Sequence, residues 1–302
     1  MIASIPHGSA IGGFSFRCPV MPRRGDSLWC GEFVNSSRVG LAILTIRGML
    51  IAAAHANINF LTTDSKTAPI PSRGDKYRPL LMFLAAGLAA ALLTLAFVVI
   101  GGEVAEGDTR GFDTQLLQFA QALRVAHPGI AGVMRDLSGL GSTTGLTLFT
   151  LLSVGYLMMV SQRVTALLVA SSVISGSILV SAFKSLYGRL RPDGTIADIV
   201  VPGMSFPSGH ASMSAIVFRT LGALIASTRD SVAERAFIFA TATLLTLLVG
   251  ISRVVLGVHW TTDVIGGWAF GAGWGLLWLL LARYVAGRRL ANQRTVGARH
   301  TT

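Results

Sequence analysis

The chain has 302 residues, of which 52% are hydrophobic and 13% are charged, and its mean hydropathy is +0.62. The charged fraction is about half that of an ordinary soluble domain, so the composition excludes a typical soluble protein and predicts an integral membrane protein. The formal net charge of +11 comes from basic residues that flank apolar runs and form no continuous stripe. We therefore predict contact with membrane lipids and no binding of nucleic acid.

Residues 1–75 differ from the rest of the chain, because they are rich in glycine and serine and show no sustained periodicity. We predict an irregular, poorly ordered extension and assign it no function. Residues 40–54 are apolar but short, which is compatible with an interfacial helix, a pre-sequence or translation from upstream of the true start. Cys18 and Cys30 match no metal-ligand spacing; we expect two free thiols, although the sequence alone leaves a disulfide open.

From Pro79 onward the chain contains six apolar runs. Each is close in length to the roughly 20 residues that a spanning helix requires. They cover about residues 79–101, 143–161, 164–186, 208–227, 236–257 and 260–282. Between the first two, Phe112, Leu116, Ala120 and Leu123 recur at helical spacing, which predicts a helix lying flat on the membrane surface. The sequence thus predicts an all-α polytopic membrane protein. Its organisation is a bundle of six transmembrane helices over residues 76–287, followed by a basic cytoplasmic tail over residues 288–302.

The positions of basic residues predict which side of the membrane each loop occupies. They precede the first span, separate the second from the third and the fourth from the fifth, and follow the sixth: Arg73, Lys76, Arg78, Arg163, Arg229, Arg235, Arg283, Arg288, Arg289 and Arg294. These segments share one side, so we predict an inner-membrane protein with both termini in the cytoplasm. The stretch KSLYGRLRP (184–192) is the exception, because it carries basic residues into an outer loop and indicates a specific requirement for positive charge there. Within it, we interpret Arg189 as a solvated loop charge or a secondary headgroup contact.

Three polar clusters lie where the predicted spans meet the outer face. Lys184 with Arg191 and Pro192 follows the third span, PSGH (207–210) begins the fourth, and SRVVLGVHWTTD (252–263) joins the fifth to the sixth. Odd-numbered spans end on the outer face and even-numbered spans begin there. We therefore expect these distant segments to converge on one membrane surface.

The clusters combine cations with a helix N-terminus. Lys184, Arg191 and Arg253 match the charge and geometry of phosphate oxygens. Ser208 and Gly209 lie at the predicted start of a helix, where free N–H groups and the helix dipole favour an anion. This part of the pattern predicts a phosphate-binding site.

The same clusters contain two histidines and a carboxylate. His259 and Asp263 are four residues apart and share a helix face, so the carboxylate can fix the tautomer of a nucleophilic imidazole. His210 remains as a proton donor to a leaving oxygen. No Cys/His or carboxylate group with metal-ligand spacing accompanies them, so we predict phosphoryl transfer with no metal and no cofactor.

In order and internal spacing, the three segments resemble the signature of the type 2 phosphatidic acid phosphatase superfamily. Its elements are Lys-x6-Arg-Pro (184–192), Pro-Ser-Gly-His (207–210) and Ser-Arg-x5-His-x3-Asp (252–263), within a resemblance that covers about residues 79–283. The resemblance implies that His259 forms a phosphohistidine intermediate, that Asp263 orients it and that His210 protonates the leaving group. It also implies that the phosphate is bound by the remaining motif residues: Lys184, Arg191, Ser208, Gly209 and Arg253.

Membrane members of this superfamily dephosphorylate lipid phosphates and diphosphates without a metal, and some soluble relatives are vanadium haloperoxidases. The resemblance implies a membrane phosphatase for phosphatidic acid, phosphatidylglycerol phosphate or polyprenyl diphosphate, with its site at the extracytoplasmic face. A lipid phosphotransferase shares the first half-reaction and stays open, as does a non-catalytic lipid-phosphate binder or transporter. The sequence predicts no oligomeric state.

Two features of the spans remain outside this scheme. The glycine-rich stretch GGWAFGAGWG (266–275) offers small residues for close helix packing. Arg219 falls in the middle of the fourth predicted span, where a charge is costly, roughly 13 Å along the axis from His210. The motifs provide no role for it.

Overall fold

The computed structural model describes residues 77–299 except 195, 196, 199 and 200. The predicted N-terminal extension, residues 40–54 and both cysteines lie outside the described residues. The described part contains eight α-helices and no strand. The helices are α1 (Arg78–Glu106), α2 (Arg110–Ala126), α3 (Gly129–Leu140), α4 (Thr143–Met159), α5 (Arg163–Tyr187), α6 (Gly209–Ala226), α7 (Val232–Val255) and α8 (Thr261–Arg299).

Six segments of the described chain are long and apolar enough to cross a membrane. They are Leu80–Glu106, Gly129–Met159, Arg163–Tyr187, Gly209–Ala226, Val232–Val255 and Thr261–Arg288. The prediction of an all-α membrane protein with six spans is confirmed for these residues. Helix α8 continues to Arg299, into the stretch that the sequence assigned to a separate tail.

Helix boundaries near the polar end of the bundle follow local sequence. The Ser142 hydroxyl accepts a hydrogen bond from the Gly145 N–H at 3.1 Å, which caps the N-terminus of α4. Gly107 and Gly188 end α1 and α5 in the left-handed region, at φ values of 87° and 58°. The turn at Gly188 directs the chain from α5 into the loop that carries Arg191.

Close packing between α6 and α8 depends on glycine. A Cβ atom at Gly267 would lie 2.9 Å from the carbonyl oxygen of Ser208, and one at Gly271 would collide with the carbonyl oxygen of Ser212. The small residues of the stretch 266–275 therefore let the two backbones approach as predicted. This contact brings the start of α6 to the start of α8.

An aromatic cluster holds the segment that precedes α6. The ring of Phe97 lies 4.9 Å from that of Phe183, 5.7 Å from that of Phe206 and 5.5 Å from that of Phe270. These rings come from α1, α5, the loop before α6, and α8. Such pairs contribute roughly 0.5–1.5 kcal/mol each beyond burial of their area. They fix the position of Phe206, which is fully buried directly before the PSGH motif.

Helix α2 forms where the sequence predicts a helix, and the face that it turns toward the bundle includes a carboxylate. Phe112 is 51% exposed, whereas Asp113, Leu117 and Ala120 are buried. The carboxylate of Asp113 contacts Arg189 in the loop after α5 and Thr262 in α8, and these contacts hold this face of α2 against the bundle.

Candidate active site

The three motif segments meet at one end of the bundle, at the C-terminal ends of α5 and α7 and the N-terminal ends of α6 and α8. Arg191 Nη1 donates to the carbonyl oxygen of Val258 at 2.8 Å, and it lies 3.0 Å from Nε2 of His259. The backbone N–H of Ser208 donates to the carbonyl oxygen of Asp263 at 2.9 Å. The structure thus brings together segments that are up to 79 residues apart, numbered 184 to 263.

His259 and Asp263 form a buried pair. The His259 Nδ1 atom lies 3.2 Å from Asp263 Oδ2, and the two side chains are 2% and 0% exposed. A guanidinium can only donate, so Nε2 of His259 accepts from Arg191 and the ring proton sits on Nδ1. This tautomer leaves the lone pair of Nε2 directed toward the cationic cluster.

The protein environment favours the neutral imidazole. Burial lowers the pKa of His259 to about 4, and the Asp263 carboxylate opposes this effect only in part. Arg191 and Lys184 add positive charge that acts in the same direction as burial. Burial also lowers the pKa of the Arg191 guanidinium, against the attraction of Asp263. At neutral pH the His259 ring is therefore uncharged, with its single proton on Nδ1.

Two of the predicted phosphate-binding cations are held by the loop before α6. Lys184 Nζ donates to the carbonyl oxygens of residues 204 and 205, at 2.7 and 3.4 Å. Arg191 Nε donates to the carbonyl oxygen of Gly203 at 3.0 Å. Backbone carbonyls orient these cations without neutralising them, so the site keeps its positive charge.

The site also contains buried polar atoms without a partner. Arg253 is 4% exposed; its Nη1 donates to the Ser138 hydroxyl at 2.7 Å, and its Nε has no hydrogen-bond partner. The hydroxyl of Ser208 is fully buried and also unpartnered. Buried polar groups are normally hydrogen-bonded, so these two atoms are available to a ligand. A side chain at the next position, Gly209, would meet only the Lys184 stem, at 4.0 Å.

His210 lies in the first turn of α6 and is half-buried. It is within electrostatic range of His259, Arg253, Arg191 and Lys184. The second histidine therefore shares the cationic end of the bundle with the first. Its exposure leaves it accessible to a molecule that enters from the surface.

The interpretation of Arg189 as a solvated charge is wrong. Its side chain is only 12% exposed and forms ion pairs with Asp263 at 2.7 Å and with Asp113 at 2.6 Å. The guanidinium also lies 5.5 Å from the ring centroid of Trp260, a cation–π distance. Burial between two carboxylates, and not solvation, accounts for the positive charge of Arg189 in the loop after α5.

Sequence reasoning missed Asp113 and Ser138. Asp113 is fully buried and accepts from the N–H and hydroxyl of Thr262, at 2.9 and 2.6 Å. The one available signal was a carboxylate on the otherwise amphipathic helix α2. Ser138 lies on α3, which the sequence analysis did not recognise as a helix, and nothing in the sequence connects it to Arg253.

The described residues of the range 77–299 contain no group of three or more His, Cys, Asp or Glu side chains placed to hold a metal ion. The charged side chains among the motif residues are three cations, Lys184, Arg191 and Arg253, and one carboxylate, Asp263, which is already paired with His259 and Arg189. This arrangement suits an anionic ligand.

Comparison with known proteins agrees with this geometry. Residues 165–286 match the family model of the PAP2 superfamily. Phosphatidylglycerophosphatase B of Bacillus subtilis (strain 168) is 26% identical over 181 residues, which cover 59% of this chain and 87% of that protein. Undecaprenyl-diphosphatase of Sulfolobus acidocaldarius is 28% identical over 189 residues, which cover 60% of this chain and 82% of the relative.

A solved structure shares the fold. The crystal structure of a transmembrane PAP2-type phosphatidylglycerolphosphate phosphatase from Bacillus subtilis matches with a TM-score of 0.60 and 25% identity, over 65% of this chain and 96% of that one. Fold and motif cluster define a multi-span membrane protein of the lipid phosphatase class. The family model over residues 165–286 and the shared fold thus confirm the resemblance to the PAP2 superfamily that the motifs show.

Proposed function

We propose that the protein hydrolyses a lipid phosphomonoester or diphosphate through a phosphohistidine intermediate on His259, without a metal. The observation that carries this proposal is the position of the His259 ring, with Nδ1 at 3.2 Å from Asp263 Oδ2 and Nε2 at 3.0 Å from Arg191 Nη1, from which the tautomer follows. Its Nδ1–H is directed at Asp263, and its Nε2 lone pair faces a cluster of cations. A buried neutral imidazole beside unneutralised positive charge suits attack on a phosphorus atom.

In the first step, Arg191 transfers its hydrogen bond from Nε2 of His259 to the entering phosphate. The freed Nε2 lone pair then forms a bond to phosphorus while the bond from phosphorus to the lipid oxygen breaks. Asp263 stabilises the positive charge that develops on the ring, as in other nucleophile–carboxylate pairs. The entering phosphate brings negative charge beside His210 and favours its protonated form, which gives its proton to the leaving oxygen. The non-bridging oxygens are bound by the predicted phosphate ligands: Lys184, Arg191, Ser208, Gly209 and Arg253.

In the second step, water attacks the phosphorus atom of the phosphohistidine. The N–P bond breaks and returns its electron pair to Nε2 of His259. His210, neutral after the first step, takes a proton from the attacking water. Inorganic phosphate leaves, and both histidines return to their starting states.

We also propose that the site faces the extracytoplasmic side of the inner membrane. Support comes from basic residues at the opposite end of the bundle, where Arg163 begins α5. A variant without Cys18 and Cys30 allows a test with an impermeant thiol reagent on intact cells. Leu190→Cys, near the site, should react, whereas Met159→Cys, at the opposite end, should not; both positions are exposed, at 77% and 85%. The reverse pattern would contradict the proposed orientation.

Candidate substrates are phosphatidic acid, phosphatidylglycerol phosphate and polyprenyl diphosphate. The relatives named above favour the last two, since one is a phosphatidylglycerophosphatase and another an undecaprenyl-diphosphatase. Phosphate release from each lipid should be measured with purified protein in detergent and EDTA. We expect release from at least one of them, and loss of about 10³-fold or more in kcat for His259→Gln.

His127→Gln is the matched control, because His127 is exposed and outside the motifs. It should retain full activity. The proposal fails if wild-type protein releases phosphate from none of the three lipids, or if His259→Gln is as active as this control. Transfer of labelled phosphate to an added acceptor lipid, instead of release into water, would assign the protein as a phosphotransferase with the same intermediate.

A further inference from the structure

A cavity lies in the half of the bundle away from the motif cluster. Its volume is about 440 Å³, and residues of α1, α5, α6, α7 and α8 line it. Arg219 is one of these residues and lies ten positions after Gly209, roughly 15 Å along α6 from the PSGH motif. The cavity is therefore distinct from the candidate active site.

The cavity is positively charged. Arg219, Arg235 and Arg283 line it, and the described residues that form its wall include no Asp or Glu. Arg219 is half-buried in the middle of a span, whereas Arg235 and Arg283 are exposed near the ends of theirs. The three guanidinium groups thus mark a path from the membrane boundary into the bundle. A charge at the depth of Arg219 is costly without a partner.

Two polar atoms of the wall lack partners. Arg219 Nε is buried without a hydrogen bond, and so is Oγ of Ser172, whose residue is 1% exposed. Both residues line the same cavity. Buried polar groups are normally hydrogen-bonded, so a negatively charged acceptor in the cavity would provide a partner for both Arg219 Nε and Ser172 Oγ.

The rest of the wall is apolar. Leu168, Leu224, Phe239, Leu276 and Leu279 line it beside the cations. A free inorganic anion would use only the charged part of this surface. A lipid uses both parts, because its phosphate contacts arginine and its acyl chain contacts the leucines.

We propose that this cavity binds the anionic headgroup of a membrane phospholipid, drawn from the leaflet opposite the catalytic cluster. The phosphate pairs with Arg219, while Arg235 and Arg283 attract it at the entrance. The bound lipid supplies the counter-charge that the protein itself does not provide. This site is independent of the proposed hydrolysis, so a negative result in the test of one leaves the other unaffected.

The test is thermal unfolding of the purified, delipidated protein in micelles of a non-ionic detergent, titrated with phosphatidylglycerol. A ligand that binds only the folded state raises the unfolding temperature. We expect phosphatidylglycerol to stabilise the wild type. Arg219→Gln should weaken its apparent affinity by about tenfold or more, the effect of losing one charge-assisted hydrogen bond.

The matched control is Arg163→Gln, which removes an exposed arginine from the same end of the bundle but not from the cavity wall. It should respond to phosphatidylglycerol as the wild type does. Any stabilisation by lipid at the catalytic cluster would be unchanged in Arg219→Gln. A difference in stabilisation between Arg219→Gln and Arg163→Gln therefore reports binding in the cavity. If Arg219→Gln does not fold, Arg283→Gln replaces it, with a loss of about threefold or more expected at the entrance.

Three results would overturn the proposal. One is an equal response of the cavity variant and the control. Another is equal stabilisation by added phosphatidylcholine, which carries no net charge. The third is full stabilisation by inorganic phosphate alone, which would identify the occupant as a free anion and not a lipid.

Discussion

Arg189 forms an ion pair with the fully buried Asp113, with 2.6 Å between Nη2 and Oδ2. The same guanidinium donates through Nη1 to Asp263 at 2.7 Å, so one side chain joins carboxylates from α2 and α8. Asp263 in turn bonds the ring of His259. Helix α2 therefore influences the orientation of the imidazole through two intervening side chains, although it contains none of the motif residues.

Asp113→Asn should destabilise the protein by about 3 kcal/mol, the lower end of the range for breaking a buried ion pair, because Arg189 keeps Asp263. We also expect kcat to fall while KM changes little, since the change acts on the imidazole and not on the phosphate ligands. Denaturation in detergent and steady-state kinetics measure the two effects. Asp136→Asn, at an exposed position on α3, is the control. Equal behaviour of the two variants would remove Asp113 from the network.

The motif residues could be placed from the sequence because helix count alone determines which span ends share a face. Lys184, His210 and His259 are far apart in the chain, yet each lies near an end of a predicted span, and the helix count places these ends on the same face. The residues that support them could not be placed in this way. Asp113 pairs with Arg189 across 76 residues, and Ser138 pairs with Arg253 across 115. Such partners depend on helix rotation and packing, which hydropathy does not encode.

Helix α3 was missed for a related reason. Its sequence GIAGVMRDLSGL contains three glycines, an arginine and an aspartate, so it shows no unbroken apolar run. It is helical in the fold, where Ala131 and Ser138 are buried against the bundle. Tertiary contacts override weak local propensity here.

Asp263→Asn should abolish the tautomer required for attack. An asparagine amide can donate to Nδ1 of His259, which would move the ring proton to Nε2 and remove its lone pair. We expect kcat to fall by about 10³–10⁴, as for other carboxylates that orient a catalytic histidine. Asp230→Asn, in the exposed loop before α7, is the control. Retention of more than about a tenth of wild-type kcat would mean that Asp263 is not needed to set the tautomer.

Stability should decrease on the acid side because of His259. Its folded-state pKa is about 4, below the ordinary value of 6.5. Between these values the unfolded chain binds a proton that the folded protein excludes. The destabilisation by His259 is therefore absent above pH 6.5. It grows as the pH falls toward 4, where it lowers the free energy of unfolding by up to about 3 kcal/mol. Unfolding free energy measured against pH should have a shallower acid slope in His259→Gln than in the wild type. Parallel curves would show that the imidazole titrates normally.

The contact between α6 and α8 can be tested at two glycines of one helix. Gly271→Ala places a Cβ against the carbonyl oxygen of Ser212, so we expect a loss of about 1–3 kcal/mol and lower activity, because α6 carries His210. Gly287→Ala is the control: a Cβ there meets nothing within 4 Å, and alanine favours a helix. It should be neutral or slightly stabilising. If Gly271→Ala is equally well tolerated, the backbones do not pack as closely as described.

Ser208 and Ser212 lie one helical turn apart, and we expect their alanine variants to show opposite behaviour. The Ser208 hydroxyl has no protein partner, so its removal breaks no hydrogen bond and should leave stability unchanged or slightly increased. If this hydroxyl binds the substrate phosphate, Ser208→Ala should raise KM by about tenfold. The Ser212 hydroxyl donates to the Ser208 carbonyl oxygen at 2.9 Å. Ser212→Ala should therefore lose about 1 kcal/mol of stability with KM little changed. Loss of stability in Ser208→Ala, with KM unaltered, would reassign its hydroxyl to a structural role within the fold.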